Sequence, residues 1–279
     1  MAQFTAFDLV VRSDLALPGA MPAAEDAAAD VVVVRGSVAP LGEGVRYGVA
    51  DGAVTIDLPP FARFRCSAGE ILVDEGEDPD LALRLVANAL PATVWLRGDP
   101  VLHAACFVPE GGAGAIAVCG ASGSGKSTVL AAILARGAGV VSDDMIRVRG
   151  SDPIASGLPG ITWRKAMADA ARRTGWPVAP DRVVPAAGLA AIMVLAPADD
   201  GPAFRRLRGG DAIAAVLAQR HRAAIPALLG IEGAMLGRIA ALDNRPVNAC
   251  HRAPPVPIVT DEEAELLIRA SATIEGTTD

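Results

Sequence analysis

Residues 120–128 read Gly120-Ala121-Ser122-Gly123-Ser124-Gly125-Lys126-Ser127-Thr128, and this stretch decides the fold of the chain. It contains the pattern GxxxxGK[ST], in which glycines let the backbone curl until its N–H groups point at phosphate oxygens. An apolar segment, Ala115 to Cys119, precedes the loop, and an amphipathic segment, Ser127 to Arg136, follows it. Phosphate binding needs this strand–loop–helix order, because the helix N-terminus adds positive potential. The sequence therefore predicts a nucleotide site formed by residues 120–128.

The only two lysines of the chain, Lys126 and Lys165, restrict the class of nucleotide-binding protein. Lys126 is expected to reach the β- and γ-phosphates, and Ser127 to offer its hydroxyl to Mg²⁺. Guanine-specific switches need an Asn-Lys-x-Asp element, and Lys165 stands in Arg-Lys-Ala-Met, which excludes that class. The stretch Leu207 to Asp211 weakly resembles the signature of transport ATPases, but no apolar strand ending in Asp-Glu follows it. We expect a loop and a helix cap there.

The acidic pair Asp143-Asp144 lies 17 and 18 residues after Lys126, at the end of the apolar run Val140-Val141-Ser142. One helix and a short turn are expected to return the chain to the sheet beside the phosphate-loop strand, with both carboxylates at its carboxyl edge. Adjacent side chains on a strand point in opposite directions. Asp143 could therefore hold Mg²⁺ while Asp144 acts as a general base. A surface turn with two solvated acids is the alternative.

Composition excludes several other classes of protein. The chain has 279 residues, 52% hydrophobic and 20% charged, with a net charge of −7. A disordered chain is excluded, and a nucleic-acid or anionic-membrane partner is disfavoured, because the charge supplies no basic field. The four cysteines have no CxxC spacing, and no apolar run approaches the length of a membrane span. We expect a cytoplasmic protein with reduced thiols and without a targeting segment.

The chain is predicted to divide near residue 78. Residues 1–78 form a β-rich module, a small antiparallel sheet for packing or dimerisation, with a hairpin turn at Asp51-Gly52. Asp78 and Pro79 are expected to start a helix that Pro91 bends or ends. The catalytic domain would span residues 79–279.

Short apolar strands alternate with helices in this second domain, which is typical of a layered α/β fold. The predicted elements are strands Val101 to Val108 and Ala190 to Leu195, helices Ala212 to Arg222 and Asp261 to Ala270, and loops Ser151 to Gly160 and Asn244 to Pro257.

Four sequence elements together resemble the catalytic domain of bacterial HPr kinase/phosphorylase. They are Leu102-His103-Ala104-Ala105, the glycine-rich loop, Arg136-Gly137 and Ser142-Asp143-Asp144. Among its relatives, the chain is most similar to the shorter HPr-kinase-like serine kinases of lasso peptide gene clusters. The resemblance is strongest over residues 101–148 and implies the P-loop kinase core shared with phosphoenolpyruvate carboxykinase.

The resemblance also implies roles for single residues. Asp144 corresponds to the proton acceptor, Lys126 and Ser127 to the phosphate and metal residues, and His103 to the histidine upstream of the loop. A single histidine in a strand is equally consistent with a catalytic role and with a hydrogen-bonded position in the core. The implied activity uses ATP and Mg²⁺ to phosphorylate a serine of a small protein or ribosomal precursor peptide.

The glutamate-containing glycine-rich segment of the bifunctional enzymes and their distal arginine have no counterpart that we can identify in the sequence, which predicts a kinase without phosphorylase activity. A bifunctional enzyme, a small-molecule kinase and a nucleotide-binding regulatory module stay open as alternatives, as does the oligomeric state.

Overall fold

The computed structural model describes residues 1–76, 79–166, 169–197 and 203–252. They form a mixed α/β structure with two large sheets, one isolated hairpin and helices packed on the sheets. Among the residues that the structure describes, no helix is both long and apolar enough to cross a bilayer. The predicted N-cap Asp78 and the predicted helix Asp261 to Ala270 lie outside the described residues.

The first sheet contains eight strands, in the order β3-β1-β2-β4-β8-β7-β6-β5. They are β1 (Ala2–Ala6), β2 (Leu9–Ser13), β3 (Met21–Pro22), β4 (Val31–Arg35), β5 (Tyr47–Ala50), β6 (Ala53–Leu58), β7 (Ala62–Cys66) and β8 (Glu70–Glu75). The β2–β4 and β4–β8 pairs are parallel, so the sheet is larger than predicted and mixed rather than antiparallel. The predicted turn is confirmed, because Asp51 and Gly52 have φ of 52° and 70°, as a tight hairpin requires.

The helix that follows runs past Pro91, so of the two predicted effects of this proline, bending or ending the helix, the second is wrong. It consists of α1 (Leu81–Arg84), a π-helical turn (Leu85–Ala89) and α2 (Leu90–Leu96). Pro91 occupies the first turn of α2, where a missing N–H is tolerated, and the π-helical turn directly precedes it. Leu85, Leu90 and Trp95 are fully buried in one core with the first sheet. This core extends across the predicted domain boundary.

The second sheet has nine strands, with β12-β10-β11-β17-β14-β13-β9 in order, β19 beside β17, and β18 beside β19. They are β9 (Val101–Leu102), β10 (Ala104–Val108), β11 (Ala115–Gly120), β12 (Gly139–Ser142), β13 (Ile146–Arg149), β14 (Ile154–Ser156), β17 (Ala186–Pro197), β18 (Ala203–Leu207) and β19 (Val247–Arg252). Strands β15 (Ile161–Ala166) and β16 (Asp169–Pro177) form the separate hairpin.

Helices cover both faces of the second sheet, as the alternation of its buried residues requires. Ile116 and Val118 face a core with α3 (Lys126–Leu134), whereas Ala117 and Cys119 face a core with α4 (Gly209–Leu217) and α6 (Glu232–Ala240). The short helix α5 (Ala224–Leu228) lies between α4 and α6 along the chain. The layered α/β prediction is confirmed in this coarse form.

Several predicted elements need correction. Strand β12 pairs with β10 and not with the phosphate-loop strand β11, although its direction is the predicted one. The predicted loop 244–257 contains β19, which pairs with β17 and β18, and the predicted loop 151–160 contains β14. Helix α4 ends at Leu217, and the chain then leaves the helix instead of continuing to Arg222.

The N-terminal hairpin joins the two sheets. Phe7, at its tip, is fully buried, and its N–H donates to Gly157 O at 2.9 Å. Arg147 Nη1 donates to Phe7 O at 3.0 Å, while Arg147 Nη2 and Asp99 Oδ2 form a buried ion pair at 2.6 Å. The first sheet is therefore fixed against the strands that carry the candidate site.

Candidate active site

The glycine-rich loop connects strand β11 to helix α3, in the strand–loop–helix order that the sequence predicts. Gly125 has φ of 97°, a left-handed conformation that glycine adopts without strain. At Gly120 a Cβ atom would lie 2.6 Å from Ser124 Oγ and 3.1 Å from Leu195 O, so a side chain does not fit. No side chain caps the N-terminus of α3, which leaves its first N–H groups directed at the loop.

Lys126 lies over this loop. Its Nζ donates to Gly120 O at 2.8 Å and to Ala121 O at 3.1 Å, and the residue is only 7% exposed. Ser127 and Thr128 are half-buried in the first turn of α3. The ammonium group is thus held against the carbonyls at the start of the loop.

His103 and Asp144 meet across the sheet edge. His103 lies between β9 and β10 along the chain, and Asp144 follows β12. His103 Nδ1 lies 2.9 Å from Asp144 O and 3.7 Å from Asp144 Oδ1. Because a carbonyl only accepts, the Nδ1–H tautomer donates to it. The side chains are 25% and 21% exposed, so both reach solvent.

One open cleft of about 570 Å³ brings most of these groups together. Its walls are formed by His103, residues 120–122, Asp144 and residues 218–222. The structure therefore places residues 120–122 of the glycine-rich loop, His103 and Asp144 around a single space. Lys126, Ser127 and Asp143, which the sequence also predicts for the site, are not among the residues that line it.

Asp143 does not line this cleft. It is 4% exposed, its Oδ2 accepts the backbone N–H of Trp163 at 2.5 Å, and it lines a neighbouring cavity. Asp144 therefore lines both the cleft and this cavity, whereas Asp143 lines only the cavity.

Sequence reasoning missed the segment 219–222 as part of the site. It runs beside β9, because His103 N donates to Gln219 O at 2.7 Å and His221 N donates to Val101 O at 2.8 Å. Arg220, His221 and Arg222 therefore line the cleft opposite the glycine-rich loop. The polar run Gln-Arg-His-Arg directly after an apolar helix is the signal in the sequence that the helix ends before this segment.

His221 and Arg222 share one acceptor. His221 Nε2 lies 3.3 Å from Ala87 O, and Arg222 Nη2 donates to the same oxygen at 3.3 Å. Burial, with the neighbouring Arg222 guanidinium, lowers the pKa of His221 to about 4. His221 is therefore neutral at pH 7, next to the His103 ring at a centroid distance of 6.0 Å.

A Mg²⁺ ion of the predicted kind fits the donors present. Across the described ranges, no three His, Cys, Asp or Glu side chains group closely enough to hold a metal by themselves. Nucleotide-bound Mg²⁺ needs no such cage, since phosphates and water supply most of its ligands. The Ser127 hydroxyl would be one ligand, and the Asp143 carboxylate, whose Oδ2 also accepts the Trp163 N–H, would be the other.

All four cysteines, Cys66, Cys106, Cys119 and Cys250, are buried free thiols. Burial raises the pKa of Cys119, which lies in the strand entering the glycine-rich loop, to about 12. The thiol is therefore protonated at neutral pH and is not a candidate nucleophile.

Comparisons with known proteins do not identify a family. No protein-family model matches the chain, and no curated protein matches it. Among solved structures, it is similar to the Hpr(Ser) kinase/phosphatase from Coxiella burnetii, with 16% sequence identity and a TM-score of 0.36. The match covers 63% of this chain and 99% of that chain. The site is therefore interpreted from its own geometry.

Proposed function

We propose that this chain is an ATP- and Mg²⁺-dependent kinase that transfers the γ-phosphoryl group to a serine hydroxyl of a peptide or small protein. One observation carries the proposal: the glycine-rich loop and the His103–Asp144 pair line the same cleft. A phosphate cradle and a carboxylate able to accept a proton are the two parts that such a transfer needs.

The loop side of the cleft would bind the nucleotide. Backbone N–H groups of residues 120–128 and the uncapped start of α3 would hold the phosphates. Lys126 would exchange the Gly120 and Ala121 carbonyls for phosphate oxygens. Mg²⁺, when bound, would neutralise charge on the phosphates, with Ser127 and Asp143 as its candidate protein ligands.

The opposite side would activate the acceptor. As the serine oxygen forms its bond to the γ-phosphorus, the bond from that phosphorus to the β–γ bridging oxygen breaks and ADP leaves. Asp144 would take the proton of the serine hydroxyl. His103 would position Asp144 by donating Nδ1–H to its carbonyl. Arg220, in the same cleft, would add positive charge near the transferred group.

The finer identity of the acceptor rests on the sequence resemblance alone. The elements around His103, the glycine-rich loop and Asp144 resemble those of kinases that modify lasso peptide precursors, which favours a ribosomal precursor peptide. Lack of the downstream glutamate segment favours a kinase that does not run the phosphate-driven reverse reaction.

The test separates nucleotide binding from transfer. Asp144→Asn keeps the shape of the side chain but cannot accept the proton, so transfer should fall by about 10²- to 10⁴-fold with nucleotide affinity nearly unchanged. Lys126→Ala should weaken both. Labelled phosphate transfer to a serine-containing precursor peptide and calorimetry with a non-hydrolysable ATP analogue are the measurements.

A matched control is Asp181→Asn, an exposed carboxylate remote from the residues lining the cleft, which should change neither quantity. Full transfer by Asp144→Asn would remove Asp144 as the base. Unchanged nucleotide affinity in Lys126→Ala would mean that the glycine-rich loop is structural, and the kinase proposal would fail.

A further inference from the structure

A second cavity, of about 150 Å³, lies directly beside the cleft, and Asp144 belongs to the walls of both. Its apolar lining consists of Leu83, Val86, Ala87, Met145, Leu158 and Trp163. In the proposed kinase, the nucleotide and the acceptor hydroxyl occupy the cleft beside Asp144. Neither of them occupies this cavity, which therefore has no role yet.

The cavity is held open by hydrogen bonds and not by loose packing. Ser142 Oγ donates to Met145 O at 2.7 Å and accepts from Leu158 N at 3.3 Å, which fixes one side. Asp143 Oδ2 accepts the Trp163 N–H, which fixes the side formed by β15. These contacts give the cavity a shape before any ligand binds, and a preformed site loses less entropy on binding.

The third side comes from the helix over the first sheet. Val86 is buried, whereas Leu83 and Ala87 are half-buried, as is Trp163. The cavity therefore reaches the surface between this helix and β15. A mostly apolar cavity of this volume holds a benzene-sized group, and its polar lining is confined to Ser142, Asp143 and Asp144.

We propose that this cavity binds a branched aliphatic side chain of the acceptor peptide, next to the acceptor serine. The inference rests on the proposed kinase function and names the substrate class of the same site. A residue adjacent to the serine is only one peptide unit away from it. When the side chain of that residue occupies the cavity, the serine hydroxyl lies next to Asp144, which separates the cavity from the cleft. An acidic residue or a glycine next to the serine would gain no binding free energy from the apolar lining.

The first experiment measures binding of labelled hexapeptides Gly-Gly-Ser-X-Gly-Gly, and of the reversed series with X before serine. X is glycine, alanine, valine, leucine, phenylalanine or aspartate, and the protein is saturated with Mg²⁺ and a non-hydrolysable ATP analogue. Burial of a valine or leucine side chain should tighten binding about 10- to 100-fold relative to glycine in one of the two series. Equal affinity for every X, or no binding of any peptide at millimolar concentration, would overturn the inference.

Two variants connect the preference to the cavity. Ala87→Leu fills it and should abolish the leucine advantage, while Ala82→Leu, the same change at a half-buried position of the helix that does not line the cavity, should keep it. Leu83→Ala enlarges the cavity and should shift the preference toward phenylalanine, a change that mere destabilisation would not produce. A leucine preference that persists in Ala87→Leu would also overturn the inference.

Nucleotide titration on the same proteins separates this inference from the kinase proposal. If ATP binds and serine is phosphorylated at equal rates for every X, only the cavity assignment fails. If the wild-type protein binds no nucleotide, the kinase proposal fails whatever the peptide preference.

Discussion

His221 is expected to make the stability of the fold depend on pH. An unfolded histidine titrates near pH 6.5, and in the folded chain burial and the Arg222 guanidinium lower the pKa of His221 to about 4. Between these two pH values the unfolded chain binds more protons than the folded chain. The stabilising contribution is therefore fully present above about pH 6.5 and is lost as the pH falls through this window.

The magnitude follows from the two pKa values. Because the pKa of His221 is about 6.5 in the unfolded chain and about 4 in the folded chain, proton linkage lowers the free energy of unfolding by roughly 2 kcal/mol between pH 7 and pH 5. The loss reaches roughly 3 kcal/mol at a pH where His221 is protonated in both states. His221→Gln removes the titrating group but keeps an amide that can donate to Ala87 O. The variant should lose about 2 kcal/mol less than the wild type between these two pH values.

Two measurements test this prediction. Urea unfolding at pH 7 and pH 5 gives the difference in stability for the wild type, His221→Gln and the control His103→Gln. The chain has 3 histidines, so an NMR titration of their ring resonances is readily assigned with the variants. Titration of all 3 rings above about pH 5.5, or the same pH dependence in His221→Gln as in the wild type, would refute the reasoning.

Three further substitutions test how the site is supported. Arg147→Met removes an ion-pair partner of the buried Asp99, so the free energy of unfolding, measured in urea, should fall by about 3 kcal/mol. Gly125→Ala forces a side chain into a left-handed conformation, so calorimetry should show weaker ATP-analogue binding and unfolding should show a loss of about 1–2 kcal/mol. Pro91→Ala supplies an N–H that can donate to Ala87 O, so phosphoryl transfer should fall through displacement of His221 while circular dichroism shows no loss of helix.

The parts of the site that the sequence predicts are those whose geometry is local. A glycine-rich loop between an apolar strand and a helix has one common conformation, so β11, the loop and α3 follow from their own residues. The end of β12 likewise carries Asp143 and Asp144, because the turn at Gly137 is short. Periodicity alone does not say which strand lies next to β12, and the neighbour is β10.

The parts that the sequence does not predict depend on distant residues. The N-terminal hairpin turns at Phe7 and Asp8, both with φ of 55°, where no glycine or asparagine marks a turn. Phe7 is stable there because it is buried against the second sheet, a contact with residues some 140 positions away. The segment 219–222 similarly leaves the helix where β9 offers it backbone partners.

One carbonyl group connects these distant parts of the chain. In a regular α-helix the N–H of residue 91 would donate to Ala87 O, and Pro91 has no N–H. His221 and Arg222 take that place, and Arg222 Nη1 also donates to Tyr47 Oη at 2.9 Å on the first sheet. The side chain of Ala87 meanwhile lines the apolar cavity. Pro91, which the sequence predicts to bend or end the helix, thus leaves Ala87 O to His221 and Arg222, which line the cleft. The N-terminal sheet and its helix therefore take a direct part in shaping both the cleft and the apolar cavity beside it.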